Sequence, residues 1–207
     1  MTPRVPRSME ATSTGEAAAV ARTRRSLPNG VWGIALFIAT EATLFGAIIA
    51  SYFYLRFKHQ GWPLGGIAPP KVALPLAITG ALVAASIPVL LAARSVRAGR
   101  RGATIGWLLL ALAVQCGYLA VQIHLFADDL SRFTPQENAY ASIYYAMLGA
   151  SHFHVLVGIL LSTWAVVRLL GGVTNYRATA VRVISWYWYF VAAVTVAVTL
   201  TQLSSSL

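Results

Sequence analysis

The sequence predicts an all-α membrane protein, a bundle of five transmembrane helices, and three observations carry that expectation. First, 57% of the 207 residues are hydrophobic and only 11% are charged, with a mean hydropathy of +0.66, whereas a water-facing domain carries about 25% charged residues. Second, the apolar residues gather in five stretches, 31–55, 72–93, 103–126, 139–167 and 180–203, and each is long enough for the ~20 residues a helix needs to cross the hydrocarbon core. Third, no stretch alternates with the two-residue period of a barrel strand, and the charges fall between the stretches.

The formal net charge of +10 would suit a nucleic-acid binder, but the basic residues sit in short loops beside apolar stretches, and no soluble domain remains to build a basic groove. Membrane lipid is the expected partner, and nucleic acid is excluded. The single Cys116 admits no disulfide framework and reads as a small buried side chain. Residues 1–30 are polar, small and basic. They read as a disordered cytoplasmic tail, because the apolar stretch that follows is too long for a signal peptide and no short core precedes a cleavage site.

The first segment runs unbroken to Arg56. Between it and the second, residues 60–70 hold three Pro and three Gly, the composition of a rigid loop. Pro75 falls in the first turn of the second segment, where proline is tolerated, while Pro88 lies deeper and predicts a kink or a loosened last turn. The fourth segment is preceded by Thr134-Pro135-Gln136-Glu137. That order places Thr at the N-cap, Pro at the first helical position and Glu where it reaches back to the cap amide. The helix then measures about 50 Å to Arg168 at ~1.5 Å per residue, longer than the core, so it tilts or projects. Short connections make sequential helices antiparallel neighbours. Gly46, Gly106, Gly117, Gly149 and Gly158 offer positions for close backbone approach. The aromatic run Trp186-Tyr187-Trp188-Tyr189-Phe190 is dense enough to pack on something large.

Orientation follows from the arginines. The N-terminal tail, the loop after the second segment (Arg94, Arg97, Arg100, Arg101) and the loop after the fourth (Arg168, Arg177, Arg182) carry twelve basic residues, against four on the other side. By the positive-inside rule the N-terminus is cytoplasmic and the C-terminus lies outside.

Few polar residues lie within the segments. Glu41 sits about 15 Å from the cytoplasmic end, near mid-membrane, at ~1.5 Å per residue. A carboxylate there faces a protein interior, a water path or a partner chain, and it reads as a neutral hydrogen-bonding acid, a proton-path group or an inter-subunit contact. His152 and His154 are two apart and so occupy different helix faces. His152 lies roughly level with Glu41, which puts a Glu41–His152 pair within geometric reach. His124 is displaced from them along the membrane normal by ~15 Å or more, which argues against a haem held between these histidines. With no CxxC and no HExxH in the sequence, no metal site is expected.

From Trp32 to the fifth segment the chain resembles subunit III of the haem–copper cytochrome c and quinol oxidases, in its short five-helix bacterial form. Trp32-Gly33 and Thr40-Glu41 with Phe45 match the first retained helix, and the family's acid falls on Glu41. Gly149, His154-Val155 and Gly158 match the stretch G-x-H-x-x-H-V-x-x-G, and Trp186-Tyr187-Trp188 with Phe190-Val191 matches the terminal W-Y-W-H-F-V-D. The chain departs at Ser151, where the family has His, at His152 for Gly, at Tyr189 for His and at Ala192 for Asp. The resemblance implies two helix groups in a V around a lipid-filled cleft, reduced in the short form. It also implies a non-redox subunit of the bacterial plasma membrane that packs on catalytic subunit I, with subunit II in the same complex, and that supports stability and proton uptake during oxygen reduction. Haem and copper are then expected in the partner subunits and none in this chain. Glu41, His152 and His154 are the candidate proton-path or polar functional residues, and Arg94, Arg97, Arg177 and Arg182 the candidates to hold phospholipid. An accessory subunit of a nitric oxide reductase and a stand-alone small transporter are the alternatives.

Overall fold

A computed structural model describes residues 29–206. The tail expected to be disordered lies almost wholly outside them. The chain forms α1 (Asn29–Lys58), α2 (Ala73–Ala84), α3 (Ser86–Arg97), α4 (Arg101–Leu130), α5 (Ala139–Leu170) and α6 (Asn175–Leu203). α2 and α3 are two halves of one span, so five helices are long and apolar enough to cross a membrane. The break between the halves falls at Ala85. Pro88 has no N–H to offer the carbonyl of Ala84, and its ring crowds that carbonyl, so the helix loosens one turn before the proline.

The α2–α3 span, α4, α5 and α6 form a four-sided block. The span packs on α4 and α6, and α5 packs on the same two helices. The diagonals, α4 to α6 and the span to α5, make no backbone contact. α1 stands outside this block, against α5 and α6, and does not touch the second span. The expectation that sequential helices are neighbours therefore fails for the first pair, because the connection 59–72 is long enough to carry the chain across the end of the bundle. That connection is pinned in place. Trp62 Nε1 donates to the Tyr52 hydroxyl at 2.9 Å, Asn138 Nδ2 to the Leu64 carbonyl at 3.3 Å, and Ser206 Oγ to the Pro70 carbonyl at 2.8 Å.

Each long helix buries a seam spaced alternately by three and four residues, the spacing that keeps one side of a near-parallel helix against its neighbours. On α5 the buried seam is Tyr144, Leu148, Ser151, Val155, Gly158, Ser162, Ala165 and Leu169. On α1 it is Val31, Ile34, Phe45 and Tyr52, with Ile38 and Glu41 partly buried in between. The remaining faces are apolar and exposed, as membrane-facing surfaces are.

The structure departs from the sequence expectations at several points. α5 begins at Ala139, not at Pro135. Asn138 is extended, at φ −163°, and its side chain accepts from Ala141 N at 2.9 Å. Glu137 Oε1 does accept from the Thr134 amide, at 2.7 Å, but this bond closes a separate turn before the helix. Cys116 is exposed, because the α4 seam takes Gln115 and Tyr118 and leaves residue 116 on the outer side. Of the five glycines named for close approach, only Gly158 is one: a Cβ there would lie 2.7 Å from the Trp188 ring, whereas Gly46, Gly106, Gly117 and Gly149 have nothing within 4 Å. The aromatic run finds its partners in its own chain, with Tyr187, Trp188 and Phe190 buried.

Candidate functional site

The site grows from where three seams meet. Glu41 occupies the seam of α1, and His154 lies on α5, buried. His154 Nε2 and Glu41 Oε2 are 3.1 Å apart, with side chains 10% and 22% exposed respectively. Depth alone put a Glu41–His152 pair within reach; the residue that meets Glu41 is His154. A step of two residues turns a helical side chain by about 200°, so the two histidines face opposite ways. His152 points toward α4, its ring 6.0 Å from that of Phe126, and its Nε2 is buried without a protein partner.

The His154 tautomer follows from its other nitrogen. Nδ1 lies 2.8 Å from the Ala150 carbonyl. A carbonyl only accepts, so Nδ1 carries a hydrogen. The contact between Nε2 and Oε2 then holds one shared proton, either on the carboxyl beside a neutral imidazole or on the imidazolium beside a carboxylate. Both forms are neutral as a pair, which is how two ionisable groups lie in an apolar seam without an uncompensated charge. Aromatic rings enclose them. Phe45 meets His154 edge-on at 5.1 Å and Phe190 at 6.5 Å, and the Tyr187 hydroxyl donates to the His154 carbonyl at 2.8 Å. One turn further along, Trp188 lies on Gly158 and donates from Nε1 to Ser162 Oγ at 2.8 Å.

The roles of Tyr187 and Ser162 escape a reading of the sequence. The signal was there in the alternation of the aromatic run, since Tyr187 and Trp188 address two successive turns of α5. Ser151, which stands where the resemblance expects His, lies 3.5 Å from the Thr195 hydroxyl.

The four candidate arginines gather at one end of the bundle. Arg94 and Arg97 close α3 and are exposed. Arg177 donates to the Gly172 carbonyl at 2.7 Å and so secures its own turn. Arg182 lies 5.8 Å over the Trp186 ring, with Nε buried and without a protein partner. Among the described residues no three His, Cys, Asp or Glu side chains converge as a metal site would require, and His124 is exposed on α4.

A five-span helical bundle with a partly buried carboxyl–imidazole pair where three of its helices meet defines the class: a polytopic membrane protein with a polar pair turned into the protein. The pattern of the family described as cytochrome c oxidase subunit III matches residues 8–202, and the chain belongs to that family. Among its relatives, cytochrome c oxidase subunit 3 of Pisaster ochraceus is 29% identical over 177 residues, covering 82% of this chain and 67% of the relative. Cytochrome bo(3) ubiquinol oxidase subunit 3 of Pseudomonas aeruginosa is 28% identical over 180 residues, covering 82% of each chain. Cytochrome c oxidase subunit 3 of Thermostichus vulcanus is 26% identical over 185 residues, covering 86% of this chain and 89% of the relative.

Proposed function

We propose that this chain is the non-redox subunit III of a terminal haem–copper oxidase in a bacterial plasma membrane. In this reading it packs on catalytic subunit I, with subunit II in the same complex, and steadies the complex and its proton uptake while oxygen is reduced. Haem and copper belong to those partners. The observation that carries the reading is the family match over nearly the whole chain, with the Glu41–His154 pair kept inside the α1–α5–α6 seam. Within the pair the one proton can move between Nε2 and Oε2 without changing the pair's net charge, and its neighbours are fixed aromatic rings. The arginine-rich end faces the cytoplasm, where Arg94, Arg97 and Arg182 present charge to anionic lipid headgroups. His152 takes a lesser part, because it faces α4 and not the pair.

Purification of the tagged chain from its native membrane under mild detergent tests this. A multi-span haem protein with copper is expected to come with it, together with phospholipid. A stoichiometric chain free of any haem protein, from cells expressing an active oxidase, would overturn the assignment.

A further inference from the structure

We propose that one half of the four-helix block encloses an aqueous vestibule, open at the acidic-loop end and closed near the membrane middle by an apolar plug. The polar pattern begins on α4. Its inward seam is Thr104, Leu108, Ala111, Gln115, Tyr118 and Gln122, all buried, and the same repeat reaches Asp129 at the helix end. Apart from Thr104, whose hydroxyl donates to the Arg100 carbonyl at 2.9 Å, apolar side chains line the arginine-rich half and polar ones the other half. On the diagonal helix α6 the same change occurs, from Trp188 and Val191 to Thr195, Thr199 and Gln202, again all buried. Two polar stripes thus face each other along the axis of the block.

Polar side chains inside a membrane bundle either bond helix to helix or border water. Some of these do bond: Thr79 with Thr199 at 3.0 Å, and Gln122 Nε2 with the Tyr118 hydroxyl at 2.9 Å. The stripes meet where the Tyr118 hydroxyl faces Thr195 within polar contact, and they part toward the acidic-loop end. A cavity of about 500 Å³ lies between them, reaching Gln122, Tyr144, Thr199 and Gln202, and it has room for on the order of ten waters. Deeper still, Gln115 is 2% exposed and its Oε1 has no protein partner. Gln115 lies about 22 Å from the α4 terminus at ~1.5 Å per residue. Beyond it the core is Leu108, Ala111, Val155, Trp188 and Val191, buried apolar groups with the Trp188 ring pressed onto Gly158. The mouth carries Asp128, Asp129 and Glu137 against Lys71 and Arg132, and Arg132 is paired with Asp128 at 2.7 Å. The vestibule therefore admits water and small cations in preference to anions.

Cysteine accessibility in native membranes tests this. In a Cys116→Ala background, Thr199→Cys, Thr195→Cys and Val191→Cys are each exposed to a cationic methanethiosulfonate, 2-(trimethylammonio)ethyl, and to the anionic 2-sulfonatoethyl reagent, from each side separately. Protease resistance equal to that of the parent confines the result to folded chains. The cationic reagent is expected to modify both threonine positions from the acidic-loop side only, faster than the anionic one, and to leave Val191→Cys untouched. Threonine-site cysteines that react from neither side, yet label after unfolding, would show a dry seam and overturn the vestibule. Reaction of Val191→Cys from the arginine-rich side would overturn the plug, and equal rates for the two reagents would overturn the selective mouth.

Discussion

At Glu41 a single residue carries two separable properties, the ability to hydrogen-bond and the ability to lose a proton. Glu41→Gln keeps the first and removes the second. If the chain serves the oxidase proposed for it, assembly and the haem spectrum of that complex are expected to stay as they are, while oxygen consumption during turnover decays faster than in the parent. A decay profile unchanged across pH would assign Glu41 to packing alone. His154→Leu acts differently, because it leaves the Glu41 carboxyl without its partner in the seam. A buried group stranded in this way costs about 1–3 kcal/mol, and a lower thermal midpoint of the subunit is expected. Gly158→Ala tests the tightest contact. A Cβ 2.7 Å from the Trp188 ring overpacks the α5–α6 seam, which costs about 1–3 kcal/mol. Adding Trp188→Phe, which removes the atoms it would strike, is expected to return part of that loss, and a further fall in the midpoint would show that the clash is not the cause.

At the scale of elements, caps and breaks decide where helices begin. Asn138 caps α5 and also donates to the Leu64 carbonyl, so it ties a helix start to the connection that crosses the bundle end. Asn138→Ala is expected to cost about 1 kcal/mol and to speed amide exchange in residues 59–72 as well as in the first turn of α5. Exchange confined to the helix would separate the two roles. The sequence made the five segments legible, and the kink at Pro88 too, since length, hydropathy and a missing N–H are local properties. It mislocated the start of α5 because Thr134 and Asn138 both offer a capping side chain, and local chemistry does not rank them. Of the candidate site, Glu41 and His154 were legible as polar groups in apolar helices. Their pairing was not, because depth along a helix is additive in residue number while the facing direction depends on how two helices are rotated.

For the whole molecule, orientation rests on charge. The connections on one side carry twelve basic residues in the sequence and those on the other four, from which the positive-inside rule predicts an outside C-terminus. An alkaline phosphatase fusion at the C-terminus is therefore expected to be active and one at the N-terminus silent, and the reverse pattern would invert the topology. The arrangement of helices is a different matter. α1 leaves the second span untouched and seats itself on α5 and α6, so the five helices form one four-sided block with an outlying helix. The acidic-loop half of that block is polar at its centre and the other half apolar, a division that separates Gln115 from Ala111 within one turn of α4.

The sequence by itself determined that this is a five-span membrane protein, which residues its spans contain, which ends carry the arginines, and that Glu41 needs a partner. Those conclusions follow from composition, length and the cost of burying charge, none of which depends on how the helices are assembled. Only the tertiary structure decided that the partner is His154, that Trp188 rests on Gly158, and that the polar seams of α4 and α6 face each other across a cavity. Each of these depends on helix rotation and neighbour choice, which are set by the summed packing of all five seams, and no single stretch of sequence contains that sum.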